Sequence, residues 1–468
     1  MTFAARIASG GHAPRRRNEL GLLAVGALVV LFASLLPSLA QSNALPAHEV
    51  GFIAGLIGVT LVVQGANRLL VPDADPILLP VALVLNGLGY VMIERLDPKS
   101  AGQQLAWTVL GIGAYVATLM IVKRSRDLER YRYIMLFVAF GLLLSPLLPV
   151  FGGTTGGGSN LNGSRLWVHL GSLLEFQPVE IAKLLLVLFF ASYFVEKREL
   201  FTISTRRVGN HLLPDLRAFG PMAVAAAMSL MVILAERDIG FALLLFVIFL
   251  GMLWVTTGRW TYLVIGLIAF IIATYVASQV LTVVNARIEI WLDPWKYFNS
   301  GGYYAGAQPV EGELAFGRGG LFGSGLGLGL AATIPVSTSD FIFAAFGEEL
   351  GLFGTTAIVT AFLLIAGAGF RAALRARSEF AKLAATGLTA LLGFQAFFIF
   401  AGVARLLPLT GVTLPFVSYG GSSLLANYIL LALLMRISDE GNKPQDSDIG
   451  APAWNSTRLS AVTGTGRR

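Results

Sequence analysis

Residues 260–284 read WTYLVIGLIAFIIATYVASQVLTVV, an apolar run without a single charged residue. A helix needs about 20 residues to cross the hydrocarbon core of a bilayer, and this run exceeds that length. The chain then changes character. Residues 287–298, RIEIWLDPWKYF, hold Arg287, Glu289, Asp293 and Lys296, although only 13% of the chain is charged. An apolar span that gives way to charges flanked by Trp and Tyr is what a helix leaving the membrane looks like.

Working outward, similar runs recur at about 20–39, 50–71, 76–94, 103–122, 132–151, 179–196, 218–235, 239–256, 342–370, 380–406 and 420–437. The whole chain is 55% hydrophobic. The fold class that follows is all-α, a polytopic membrane protein of about twelve transmembrane helices. The absence of Cys excludes disulfides, thiolate metal sites and a Cys nucleophile. The net charge of +7 marks cytoplasmic loops rather than affinity for nucleic acid.

Charge sets the topology. Arg15, Arg16 and Arg17 place the N-terminal tail in the cytoplasm, and alternation puts the basic segments 123–132, 196–207 and 371–382 there too. The first span is read as a retained helix rather than a cleaved signal, because its apolar core is too long for one. Both termini are then cytoplasmic. The irregular loops 152–178 and 285–341 face outward, the second lying between the ninth and tenth spans. ERD (236–238) and PLTGVTLPFVSYGG (408–421) fall on the same side, so any chemistry is extracytoplasmic.

Several residues on that side carry candidate chemistry. Arg165 and Trp167 precede a short hairpin-like stretch, and Gln177-Pro178 opens a helix. Glu180 and Lys183 share one face of that helix, at a position where charge is costly and marks either function or a self-satisfied ion pair. Asp238 lies in a tight turn that either shapes the outer cavity or only bears interfacial charge. The Gly-rich segment 317–331 lacks the phosphate-loop pattern and reads as flexible or re-entrant, although free N–H groups there could meet a pyrophosphate. Asp340 is an N-cap candidate. Of the adjacent Glu348 and Glu349, at most one can face a shared cavity. Asp293 stands open between two readings. A second LDP occurs in ERLDPKS (94–100) as a stop-and-turn element, whereas a partly desolvated carboxylate at 293 would be more basic and suit a general base. The four His have no metal-ligand spacing.

The motifs FQPVEIAK (176–183), ERDIG (236–240), RIEIWLDPW (287–295), GRGGLFGSGLGLG (317–329), DFIFAAFGEELGLFG (340–354) and PLTGVTLPFVSYGGSSLL (408–425) resemble the SEDS family of bacterial cell-wall synthesis, the RodA/FtsW/SpoVE proteins. The resemblance runs from about 76 to 437. It implies a core of about ten helices over 76–437 and two additional N-terminal helices in 20–75; charge and composition add a cytoplasmic tail over 1–19 and a polar, disordered cytoplasmic one over 438–468. The resemblance also implies a peptidoglycan glycosyltransferase of the plasma membrane that polymerises lipid II on the outer face. Its partners would be a class B penicillin-binding protein and other cell-wall synthesis proteins. By resemblance Asp293 takes the place of the family's essential aspartate. Arg165, Glu180, Lys183 and Arg287 are the candidates to bind substrate and pyrophosphate, with Trp167, Gln177, Asp238, Asp340, Ser418, Gly420 and Gly421 expected to support them. No cofactor is required by the sequence, and a divalent cation, Mg or Mn, is possible chemistry. Departures at Ile399 and at Val336–Asp340 bring the chain closer to elongation-type (RodA-like) members. The competing readings are a lipid II flippase, a division-type polymerase and a non-enzymatic scaffold.

Overall fold

A computed structural model describes residues 13–42, 49–147, 168–170, 174–198, 205–208, 211–214, 239–280, 282–298 and 306–443. The elements are helical apart from two short hairpins. In chain order they are α1 (Ala13–Ser42), α2 (Glu49–Leu70), α3 (Leu78–Leu96), α4 (Pro98–Ile121), α5 (Arg132–Leu144), β1 (Val168–Leu170), β2 (Leu174–Phe176), α6 (Val179–Glu196), β3 (Thr205–Val208), β4 (His211–Pro214), α7 (Ile239–Thr257), α8 (Trp260–Val280), α9 (Thr282–Leu292), α10 (Ala307–Gly319), α11 (Ile342–Arg375), α12 (Glu379–Val403) and α13 (Gly421–Asn442). Eight of the described helices are long and apolar enough to cross a membrane. The expected span at 218–235 lies outside the described residues.

The apolar run 260–284 is helical as α8 on one side of residue 281 and as the start of α9 on the other, and α9 carries RIEIWL up to the LDP turn. The hairpin-like stretch before Gln177 is β1–β2, paired antiparallel with His169 opposite Glu175.

At the centre stands α13, buried along nearly its whole length and packed mainly on α4. Apolar surface gains little from helix contact inside a lipid solvent, so close approach through small residues matters more. Gly421 shows the effect: a Cβ there would lie 2.1 Å from the Trp107 ring. At the basic end of the bundle, Arg436 of α13 donates to Leu70 O at 2.9 Å and Val122 O at 2.7 Å. One guanidinium therefore satisfies carbonyls left over at the ends of α2 and α4. Asp439, fully buried, accepts from Asp73 N at 2.8 Å and pairs with Lys443 at 2.6 Å. These contacts tie the first helices to the rest of the bundle.

At the other end, α11 is not continuous. Gly351 breaks it with φ 67° and ψ −163°, a conformation that only Gly adopts cheaply. The freed Glu348 and Glu349 carbonyls accept from Ser324 N and Gly325 N at 2.9 and 3.0 Å, while Leu352 N and Phe353 N donate to Gly320 O and Leu321 O. The Gly-rich segment thus stitches both sides of the break.

Candidate active site

Pro178 starts α6 without an N–H to satisfy, and the hairpin before it hands the chain to α13 through Gln177 N, which donates to Ser422 Oγ at 2.8 Å. Two residues on, Glu180 sits in the first helical turn, where the helix dipole favours an acid. Lys183 follows one turn later. Both are buried, Glu180 at 7% and Lys183 at 2% exposure. Lys183 Nζ lies 2.5 Å from Glu180 Oε2 and donates to Gln395 Oε1 at 2.8 Å. Gln395 Nε2 in turn donates to Thr413 O at 2.8 Å, and Thr413 Oγ1 to Ser423 Oγ at 2.7 Å. A buried cation is tolerable only when paired and hydrogen-bonded, and here both conditions hold. The result is a polar track from α6 through α12 and the 404–420 segment to α13.

That segment is braced from several sides. Ser418 Oγ donates to Ser339 O at 2.6 Å and accepts from Leu414 N at 2.9 Å. Asn86 Nδ2 donates to Phe416 O at 3.1 Å, holding a residue whose φ is 65°. A Cβ on Gly240, the last residue of ERDIG, would meet Thr410 O at 2.2 Å. Gly420 precedes α13, with Thr413 Cγ2 at 3.3 Å from where its Cβ would stand.

Asp293 is reached from the same segment. Arg287 of α9 donates to Leu409 O and Thr410 O, each at 3.3 Å, and Trp291 Nε1 donates to Arg405 O at 3.1 Å. Asp293 N closes the last helical bond, to Glu289 O at 2.9 Å, and Oδ1 accepts from Lys296 N at 3.3 Å. Nearby, Glu289 is held below the usual carboxylate range by the Tyr297 hydroxyl and then by Asn285. Asp293 is exposed rather than desolvated, which corrects the expectation of burial beside the tryptophans. Its second carboxylate oxygen has no partner among the described residues. The other LDP copy differs on this point. Asp97 uses both oxygens, accepting from Lys99 N at 3.2 Å and Ser100 Oγ at 2.6 Å, and so caps α4. Both aspartates are turn-formers, but Lys296 stands where the first copy has Ser100, and one oxygen of Asp293 stays open.

The structure brings Glu180 and Lys183 together. It connects them to Asp293 only through the 404–413 segment, with no direct bond between them among the described residues. Arg287 spends Nη1 on that segment. Asp340 does not cap α11: Phe341 occupies the cap position, with no side-chain cap. Arg165, Trp167 and Asp238 lie outside the described residues.

The Gly-rich segment does not present a phosphate cradle. Gly327 N donates to Glu349 Oε2 and Leu330 N to Glu348 Oε1, both at 2.8 Å, while the N–H groups of Ser324 and Gly325 go to carbonyls. The amides of Ser324, Gly325, Gly327 and Leu330 are therefore occupied by α11 rather than open to a phosphate. Glu348 and Glu349, each 1% exposed, both bury under it, against Arg318 at 3.0 Å and Arg95 at 2.9 Å respectively. Two adjacent helical residues share one cover because the chain wraps around the break at Gly351. Sequence reasoning missed Gln395, Thr413, Arg405 and Arg95 as site-shaping residues. The signal for Arg95 was its place beside the LDP turn; for Gln395 it was a lone amide in an apolar span.

Residues 78–443 match the cell cycle protein family FtsW/RodA/SpoVE. The peptidoglycan glycosyltransferase RodA of Mycobacterium tuberculosis is 41% identical over 449 residues, covering 92% of each chain. An overlap of that length reaches into the helices before residue 78. Among solved structures, a chain from a peptidoglycan synthase complex that coordinates polymerization and crosslinking superposes with a TM-score of 0.59 at 25% identity, over 78% of this chain and 97% of that one. The rod shape determining protein RodA of Thermus thermophilus shares the fold, with a TM-score of 0.54 at 24% identity over 79% and 98% of the two chains.

Proposed function

Because the chain belongs to the FtsW/RodA/SpoVE family of cell cycle proteins, we propose that it is a RodA-like peptidoglycan glycosyltransferase with Asp293 as its general base. The observation that carries the site assignment is the single open carboxylate oxygen of Asp293. It sits on a turn tied to the same 404–413 segment that roofs the buried Glu180–Lys183 pair. The likeness to a RodA over 92% of the chain, N-terminal helices included, supports the elongation role over the division-type one.

In the reaction, the acceptor sugar's 4-hydroxyl gives its proton to Asp293 and its oxygen attacks the anomeric carbon of the lipid II-linked donor. The bond to the pyrophosphate breaks as the new bond forms, and undecaprenyl pyrophosphate leaves. An α-linked donor becoming a β-1,4 linkage requires one inverting displacement. General base assistance contributes about 10²–10⁴-fold. The departing pyrophosphate needs positive charge. We assign that role to Arg287, whose Nη2 is not spent on the segment's carbonyls. Lys183 is neutralised by Glu180, and its contribution is to hold Gln395 and through it Thr413. Arg165 is the third candidate. A divalent cation, Mg or Mn, would supply further positive charge to the departing pyrophosphate.

The protein is a multi-pass membrane protein. With both termini cytoplasmic, the Asp293 side faces outward, where lipid II and a class B penicillin-binding protein would meet it. The synthase complex it resembles, described as coordinating polymerization with crosslinking, supports such a partner. The test is glycan strand formation from lipid II by the purified protein, beside lipid II transport in sealed vesicles. Strands without transport support the polymerase; transport without strands would return the flippase.

A further inference from the structure

We infer that Arg405 is a positioning residue for Asp293, a proposal that rests on the catalytic reading above. It starts from an oddity in the backbone. α12 ends at Val403, and Arg405 N donates to Gly402 O at 3.1 Å while Leu406 N donates to Ala401 O at 2.7 Å. This pair of bonds is the Schellman ending of a helix, in which the residue at 405 must turn left-handed. Glycine is the usual occupant, because other residues are strained there. Here the residue is Arg, with φ 58°. A helix terminator alone does not call for that side chain, so its guanidinium is the reason to look for.

Each nitrogen of the guanidinium makes one bond, and all three bonds cross to the outer loop. Nε donates to Trp291 O at 3.0 Å and Nη2 to Leu292 O at 2.9 Å. These are the last two carbonyls of α9, which have no acceptor role left inside the helix. Nη1 pairs with Glu313 of α10 at 2.8 Å, and Trp291 Nε1 returns a bond to Arg405 O. The next residue after the two capped carbonyls is Asp293. A cation at a helix C-terminus is also favoured by the dipole.

The need for such a clamp comes from α9 itself. Most of its described side chains are exposed or half-exposed, and Val284 near its start is the buried one. The polar contacts that hold its far end to the bundle among the described residues come from one segment: Arg287 to Leu409 and Thr410, and the reciprocal Arg405–Trp291 pair. Both land within residues 405–410. Arg287 fixes the helix from one turn below, and Arg405 fixes the turn on which the carboxylate stands. The same segment continues to Thr413 and the Gln395–Lys183 track, so Arg405 sets the Asp293 turn relative to the rest of the site.

Arg405→Gly gives a direct test, because Gly relieves the left-handed strain while removing the clamp. In protein reconstituted in nanodiscs, its thermal midpoint should equal or exceed that of the wild type. Its kcat with lipid II should fall by about 10–10²-fold, the scale of an ångström-sized misplacement, with KM changed by less than about twofold. Amide exchange over 291–298 should accelerate, a readout that does not depend on turnover. Arg405→Lys, which keeps the charge but cannot span two carbonyls and Glu313 together, should fall between the two in rate. A wild-type kcat for Arg405→Gly, or unchanged exchange over 291–298, overturns the proposal, and so does a drop in kcat that the exchange does not accompany. If Asp293→Ala polymerises normally the catalytic reading fails instead, and the exchange arm still decides whether Arg405 holds the turn.

Discussion

Replacing Glu180 by Gln leaves Lys183 in place with its carboxylate gone. The side chains are 9% and 2% exposed and the pair distance is 2.5 Å, so solvent cannot take over the lost partner. Removing one member of a buried ion pair costs about 3–5 kcal/mol, because the charge left behind is uncompensated. Gln395 still accepts from Lys183 Nζ at 2.8 Å, and the new amide can accept another bond, which places the expected loss near the lower end, about 3 kcal/mol. Removing both charges with apolar residues of similar size, Glu180→Leu with Lys183→Met, should cost less than either single change. The assay is equilibrium unfolding in mixed micelles titrated with SDS, run on the wild type, both single variants and the double variant. Glu180→Gln within about 0.5 kcal/mol of the wild type would refute the reasoning. So would a double variant whose loss equals the sum of the single losses.

Asp97→Ala should lose about 1 kcal/mol of stability, as other N-caps do, and keep polymerase activity, as unfolding and strand-synthesis assays would show. The Ser100 hydroxyl lowers the Asp97 carboxyl below its usual range, so this bond stabilises the fold at neutral pH and the gain is lost as pH falls through the lowered value. Ser100→Ala should therefore be less stable than the wild type at pH 7 and match it in strong acid. Glu349→Ala removes the carboxylate shared by Arg95 and Gly327 N, leaving Arg95 its bond to Gly329 O, and hydrogen exchange over 320–330 should rise as that segment loosens from α11. Gly421→Ala drives a methyl into the Trp107 ring at 2.1 Å and should cost about 1–3 kcal/mol in the same unfolding assay.

The helices were legible because a bilayer imposes length and apolarity on every span, and Ile239–Thr257 or Glu379–Val403 could hardly read otherwise. The Glu180–Lys183 pair was partly legible for a related reason: opposite charges three residues apart on an apolar helix share a face, although a functional pair and a self-satisfied one both fitted the sequence. What lay beyond reach depended on distant pairing. Nothing near Glu348 and Glu349 in sequence says that the glycines of 317–331 will fold back over a helix break and use their amides there. The state of Asp293 was legible only by contrast with Asp97, since Ser100 consumes the oxygen that Lys296 leaves open. Arg405 was hidden altogether. Its meaning lies in a φ of 58° and in carbonyls more than a hundred residues away, neither of which any local pattern encodes.

The most direct test of the central claim compares Asp293→Ala with Asp97→Ala, the same substitution in the same tripeptide, in glycan strand synthesis from lipid II by purified protein with and without a partner transpeptidase. The account predicts strands from Asp97→Ala and a loss of about 10²-fold or more for Asp293→Ala, with both variants folded. Strand synthesis by Asp293→Ala at the wild-type rate would contradict it.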